Sequence, residues 1–134
     1  LTRENCPTHP SFVTVNKLNE LKKKGLMFFG GFSGGAQIGF VALEKADAAL
    51  FYMEKLAVLP DHRHNGYGQK LVEFSMDYVM KHGVRKISIG TIDEQTILKN
   101  WYKKLGFKEA STRKFSHFPF TVCYMEIEIP SLAN

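Results

Sequence analysis

The sequence predicts an α/β domain with a mixed, mostly antiparallel sheet, one parallel strand-helix-strand crossover and helices on both faces. Three observations carry this expectation. Apolar runs over 26–32 and 36–43 flank Ser33-Gly34-Gly35 and read as a hairpin. A long apolar run over 48–59 precedes a helical apolar spacing over 66–83 and then a strand pattern over 86–92, the order of a parallel crossover. Near the end, Met125, Ile127 and Ile129 alternate with Glu126 and Glu128 as in a half-buried strand.

The chain opens without a methionine, and its first ten residues read as the end of something under way, with Pro7 and Pro10 marking a loop. Residues 11–24 give a short, poorly periodic helical stretch ending in Lys22, Lys23 and Lys24. After the hairpin, a turn over 44–47 leads into the run 48–59, expected to be central in the sheet with only Glu54 and Lys55 charged inside it. The helix over 66–83 carries Leu71, Phe74, Ser75 and Tyr78 with Val72, Met76 and Val79, and Lys81 and His82 precede the capping Gly83. On the strand 86–92, Ile87, Ile89 and Thr91 share a face. Asp93 reads as the N-cap of a last helix that carries Leu98, Trp101 and Leu105 and stops at Gly106. Strands over 107–113 and 121–129 close the chain around Pro119, with no repeat and no low-complexity linker.

With 134 residues, 44% hydrophobic and 13% aromatic, the chain is expected to be one domain that buries a core without staples. Two cysteines, Cys6 and Cys123, are too few for a disulfide framework. Neither a signal peptide nor an apolar run of about 18 residues is present, so a reduced, soluble, cytoplasmic setting is expected. The net charge of +5 suits nucleic acid, an acidic membrane surface or an anionic cofactor alike. The one long basic run has no interleaved aromatics, and neither a nucleic-acid nor a membrane partner is expected. His9, His62, His64, His82 and His117 form no cluster at ligand spacing, so no metal is expected, and Cys123 reads as a small core residue.

The stretch from Pro60 to Lys70, between the third run and the long helix, looks built for an anion. Pro60 and Asp61 break the strand, and Gly66 and Gly68 let the backbone turn tightly, so N–H groups at the helix start can converge on one phosphate. Arg63, His64 and Lys70 make the place electropositive. The same features would also serve a plain turn with solvated cations. A Walker loop does not fit, because Gly66 lies two residues before Gly68 and Leu71 follows Lys70, and Leu71 also stands where a dinucleotide fingerprint needs its third glycine.

What remains, Arg63-x-x-Gly66-x-Gly68, resembles the Arg/Gln-x-x-Gly-x-Gly/Ala motif of the GNAT superfamily of acyl-CoA-dependent N-acyltransferases. Met53-Glu54-Lys55-Leu56-Ala57-Val58-Leu59-Pro60 resembles that family's fourth strand, and Asn100-Trp101-Tyr102-Lys103-Lys104-Leu105-Gly106-Phe107 its later helix ending in Gly-Phe. The resemblance implies a single N-acetyltransferase domain over 1–134, lacking its first strand and most of its first helix. It implies acetyl-CoA as cosubstrate, with the pyrophosphate on Arg63, His64, Asn65, Gly66, Tyr67, Gly68 and Gln69. The Leu56, Ala57 and Val58 stretch would pair with the pantetheine arm, the Leu56 N–H polarising the thioester carbonyl. Gln95 stands where the family commonly has asparagine, offering the same amide from a longer arm, and Leu98 replaces a usual alanine.

Two side chains carry the implied chemistry. Glu54, in the middle of a strand expected to be covered, needs water, a cation or a cavity, and Lys55 would point to the other face unless a bulge intervenes. It reads either as a paired structural carboxylate or, by the resemblance, as the general base with a pKa raised by partial burial. Tyr102, at the border of an apolar stripe, reads as core from the residues alone. The resemblance implies that it protonates the departing thiolate. The acceptor would be a small-molecule or peptide amine, shaped in this family by the first helices and the closing hairpin around Phe115, His117, Phe118 and Phe120; monomer and homodimer both stay open. The alternative, a non-catalytic CoA-binding or sensor domain, would keep Arg63 to Gly68 and need neither Glu54 nor Tyr102.

Overall fold

Gly34 and Gly35, at φ of 61° and 83°, close the two-residue turn between β2 (Leu26–Ser33) and β3 (Ala36–Asp47). Positive φ at both positions gives the turn the twist that antiparallel strands require. The computed structural model describes residues 14–21, 25–63 and 66–130. Around this hairpin stand β1 (Thr14–Leu21), β4 (Leu50–Val58), α1 (Tyr67–Lys81), β5 (Lys86–Ile92), α2 (Thr96–Lys104), β6 (Lys108–Lys114) and β7 (Thr121–Glu128). All seven strands form one sheet in the order β1-β2-β3-β4-β5-β7-β6, with β4 and β5 parallel and every other pair antiparallel. The mixed, mostly antiparallel sheet and its crossover are as expected.

Both described helices bury their stripes on the same face of the sheet. Leu71, Val72 and Val79 of α1 and Tyr102 of α2 share one core with Val41, Leu43, Phe51, Met53, Ile87, Ile89, Met125 and Ile127. A helix on the opposite face, also expected, is not among the described residues. Burying these side chains stabilises each by roughly 1.5–3 kcal/mol relative to exposure. The buried Ser75 hydroxyl on α1 donates to Leu71 O at 2.9 Å, so this donor is not stranded under the helix. α1 ends as its sequence suggests: Gly83 takes φ 77°, and the Val84 N–H reaches Val79 O at 3.1 Å.

Three expectations fail, two of them at irregularities in strand pairing. Residues 14–21 form β1 rather than helix; residues 11–13 and 22–24 of the expected helix lie outside the described ones. The register of β1 against β2 passes from Lys17↔Phe29 to Asn19↔Phe28, so Leu18 is an extra residue. An extra residue interrupts the strict alternation by which a strand is recognised in sequence. The turn expected over 44–47 falls at Ala48 and Ala49, because β3 continues to Asp47 past a second irregularity, and Asp47 Oδ1 accepts the Ala49 N–H at 2.7 Å. Glu54 is the extra residue of a third: Ala42 pairs with Lys55 while Leu43 pairs with Met53. Asp93 does not cap α2, whose N-cap is Gln95; its carboxylate instead binds Lys99 Nζ at 2.8 Å.

Candidate functional site

The site begins where the parallel pair ends. β4 and β5 are registered only at Phe51↔Ile87 and Tyr52↔Ser88, although both strands run on. Beyond Tyr52 the edge of β4 that faces β5 has no partner strand among the described residues, and two cavities flank the gap. The first, about 840 Å³, lies on the helix side against Leu56 and Val58 of β4, the start of α1 and the start of α2. The second, about 720 Å³, lies on the other face, with Tyr52 and Glu54 of β4, Ser88, Gly90 and Ile92 of β5, and Phe120, Val122 and Tyr124 along its wall. Glu54 and Leu56, two residues apart, thus line different cavities.

The first cavity gathers eight of the residues singled out in the sequence: Leu56, Val58, Arg63, Gly66, Gly68, Gln69, Gln95 and Tyr102. Gly66 is the N-cap of α1 at φ 82°, no side chain caps that helix, and its first intrahelical bond is Lys70 N–H to Gly66 O at 3.1 Å. N–H groups of the first helical turn have no partner inside the helix and carry the positive end of its dipole. Arg63 is exposed at the rim, its Nε donating to Val58 O at 3.0 Å, which ties the loop to the end of β4. Gly68 has a reason beyond the loop: a Cβ there would stand 3.1 Å from the Trp101 ring, so the bare backbone lets α2 close over the start of α1.

Tyr102 is 7% exposed, its ring edge-on to Trp101 at 5.0 Å and to Phe107 at 5.4 Å, and it faces the first cavity from beneath. Its hydroxyl makes no hydrogen bond among the described residues, and burial pushes its pKa up to about 12. Such a group stays protonated at any ordinary pH.

Other expected residues fall elsewhere. Ala57 is exposed and lines neither cavity. Tyr67 is buried at 1%, packed with Ile38 and Val58, its ring 5.9 Å from that of His62, so its side chain belongs to the core and only its backbone stands at the loop. His64 and Asn65 lie outside the described residues. Glu54 is exposed, so the partial burial expected of it is not there; it shares the Tyr52 face of β4 and lines the second cavity, and the bulge puts Leu56, two residues on, against the first. Reading by stripe missed Trp101 and Ile97 as cavity residues. The signal in the sequence was Ile97, an apolar residue off the Leu98, Trp101 and Leu105 stripe, and the structure leaves it 88% exposed beside the first cavity.

Cys123 is fully buried, as expected of a core residue, but it has the acidic neighbour that the sequence did not reveal. Its Sγ lies 3.5 Å from Glu109 Oε1, and burial first, then Glu109, raises its pKa. Asp93, Glu109 and Cys123 bring potential metal ligands within 4.8 Å of one another. Lys99 Nζ already sits on that cluster, 2.8 Å from Asp93 Oδ1 and 3.3 Å from Glu109 Oε1, with its side chain 12% exposed. A metal would have to displace an ammonium. No helix among the described residues is long and apolar enough to cross a membrane.

Comparison with known proteins agrees with this layout. A GNAT family acetyltransferase from Elizabethkingia anophelis, solved with acetyl-CoA bound, superposes with a TM-score of 0.80 at 15% identity, over 88% of this chain and 99% of that one. A spermidine/spermine N-acetyltransferase from Vibrio cholerae, solved in complex with manganese ions, gives 0.77 at 16% identity over 89% and 94%. An IAA acetyltransferase from Bacillus cereus gives 0.76 at 16% over 87% and 99%. At such identities the likeness is one of fold. No curated protein matches the sequence itself. The sequence profile of the Acetyltransferase (GNAT) family, however, matches residues 2–107, most of the chain, and the chain belongs to that family.

Proposed function

We propose that the chain transfers an acetyl group from acetyl-CoA to an amine by direct attack, the donor entering from the first cavity and the acceptor from the second. The observation that carries this reading is the gap between β4 and β5, with a buried, protonated tyrosine on one side and an exposed carboxylate on the other. The donor fits the first cavity in size and chemistry. About 840 Å³ lies within the ordinary range of ligand sites. The N-terminus of α1 and Arg63 suit a pyrophosphate, while Leu56, Val58, Leu98 and Trp101 suit an apolar arm. The acetyl-CoA in the Elizabethkingia anophelis neighbour supports the same donor.

In this reading the thioester supplies the acetyl group, and the residues of the chain position it and move two protons. The bare edge of β4 offers backbone groups to the arm, and the Leu56 N–H points its dipole at the carbonyl oxygen, where negative charge develops; one such donor contributes about 3–4 kcal/mol to barrier lowering. Glu54 takes the proton that the attacking nitrogen loses, directly or through water. As the new C–N bond forms and the C–S bond breaks, Tyr102 gives its proton to the departing sulfur. The products are an acetamide and a free thiol. Tyr102 holds its proton up to about pH 12, so the proton is in place when negative charge develops on the departing sulfur.

The test joins binding to turnover. CoA should raise the melting temperature, since a ligand that binds only the folded state stabilises it by mass action, and some amine should drive release of thiol from acetyl-CoA. A protein that CoA stabilises but that transfers to no amine would be a binding or sensor domain. One that CoA does not stabilise would have no donor site.

A further inference from the structure

We infer that the second cavity takes a primary amine carried on a flat, aromatic body, a small molecule rather than a polyamine, and that the missing side chain of Gly90 sets this specificity. The inference rests on the acetyl-transfer reading above and names the acceptor class for the same site. Two residues beyond the last registered pair, Tyr52 and Ser88, stand Glu54 on β4 and Gly90 on β5, at the same level on either side of the gap. Across β5, Gly90 is registered with Tyr124. A Cβ on Gly90 would lie 3.5 Å from Val122 Cγ1 and 3.7 Å from the Tyr124 ring, which is ordinary contact on both sides. Gly90 is exposed and takes no positive φ, so neither backbone strain nor crowding explains a glycine in this strand. Glycine weakens a strand interior and commonly marks a close approach.

What the glycine leaves is an open strip of backbone between Glu54 and the Tyr124 ring, both of which line the second cavity. An aromatic ring can lie on that strip against Tyr124 with its amine beside Glu54, which is the geometry of offset ring packing. Phe120 adds a second ring to the wall and is itself stacked on Phe118 at 5.0 Å and 10°. A polyamine would want a second anion at the far end of the cavity. The other carboxylate of the wall, Glu126, has Lys86 Nζ at 3.3 Å, and a second ammonium there would have to compete with that lysine.

The experiment measures equilibrium binding of 2-phenylethylamine, spermidine and a lysine-containing peptide to CoA-saturated protein, for the parent, Gly90→Ala and Gly90→Leu. CoA binding to each is measured first by melting temperature. The expected result is that 2-phenylethylamine binds the parent more tightly than either rival. Gly90→Leu should weaken it by at least about tenfold, as a side chain fills the space of the ring, and Gly90→Ala by less, while CoA binding holds in both. Should Gly90→Leu fail to fold, Tyr124→Ala takes its place with the same expected loss. Preference for spermidine or the peptide, or unchanged 2-phenylethylamine binding in a folded Gly90→Leu, overturns the inference and leaves the acetyl-transfer reading standing. A parent that binds no CoA overturns both.

Discussion

Replacing Tyr102 with phenylalanine removes one oxygen and leaves the ring between Trp101 and Phe107, so its consequences for the fold and for turnover separate. The hydroxyl makes no hydrogen bond among the described residues, and its loss strands no partner there; at neutral pH the melting temperature should barely move. Turnover should fall, because proton donation by a placed acid contributes at least ~10² in rate, or about 3 kcal/mol of barrier. Acetyl-CoA affinity should hold, since only the transition state uses the proton. The raised pKa adds a second signature. The folded protein keeps this proton to about pH 12, whereas an unfolded tyrosine releases it near its ordinary value of 10.0. Between those values the unfolded state binds fewer protons, so the parent loses stability as pH rises, by about 3 kcal/mol from this group once both values are passed. Tyr102→Phe lacks that loss. Chemical denaturation of both proteins from pH 9 to 12 should therefore show the variant gaining on the parent, and thiol release at neutral pH should show it turning over at least ~10²-fold more slowly. Equal kcat would remove Tyr102 from the chemistry, and parallel stability curves would refute its burial as a neutral hydroxyl.

Glu54→Gln keeps shape but takes no proton, and kcat should fall by ~10² with the KM for acetyl-CoA unchanged; parental kcat in a steady-state assay would reduce Glu54 to a structural residue. Gly66→Val forces a β-branched residue into φ 82° at the helix start, so CoA binding by calorimetry should weaken at least about tenfold alongside a modest loss of stability of about 1–2 kcal/mol; undiminished CoA affinity would make the loop a plain turn. Glu109 is held at about pKa 2, first by Lys103 Nζ at 2.6 Å, then by Cys123 and Lys99. Its carboxylate therefore stabilises the fold above its usual value near 4.5, and that contribution is lost as pH falls toward 2. Lys103→Met should flatten this acid-side loss in melts between those pH values, and an unchanged slope would contradict the pairing.

Most of what the sequence made legible lay where local chemistry and tertiary packing agree. α1 announced itself through stripe and Gly83 cap, and the first hairpin through its two glycines, because each feature is decided within a few residues. The misses in the strands share a cause. Leu18, Ala46 and Glu54 are extra residues in antiparallel pairs, and an irregularity of that kind depends on the partner strand, which a single run of sequence does not display. The same gap hid the two-sidedness of the site. Glu54 and Leu56 read as neighbours on one covered strand, yet the bulge and the parting of β4 from β5 give them separate cavities. Gly68 was legible as a loop glycine and illegible as the seat of Trp101, a contact 33 residues away in the chain that only the packing of α2 on α1 creates.

The measurement closest to the central claim follows product and thiol together. Acetyl-CoA and a panel of primary amines, aromatic amines included, are incubated with the protein, and the acetamide is quantified by mass spectrometry beside the free thiol. The account predicts equal amounts of both with at least one amine, and loss of both in Glu54→Gln and Tyr102→Phe. Thiol released without acetamide, or acetamide formed at the parental rate by both variants, would contradict it.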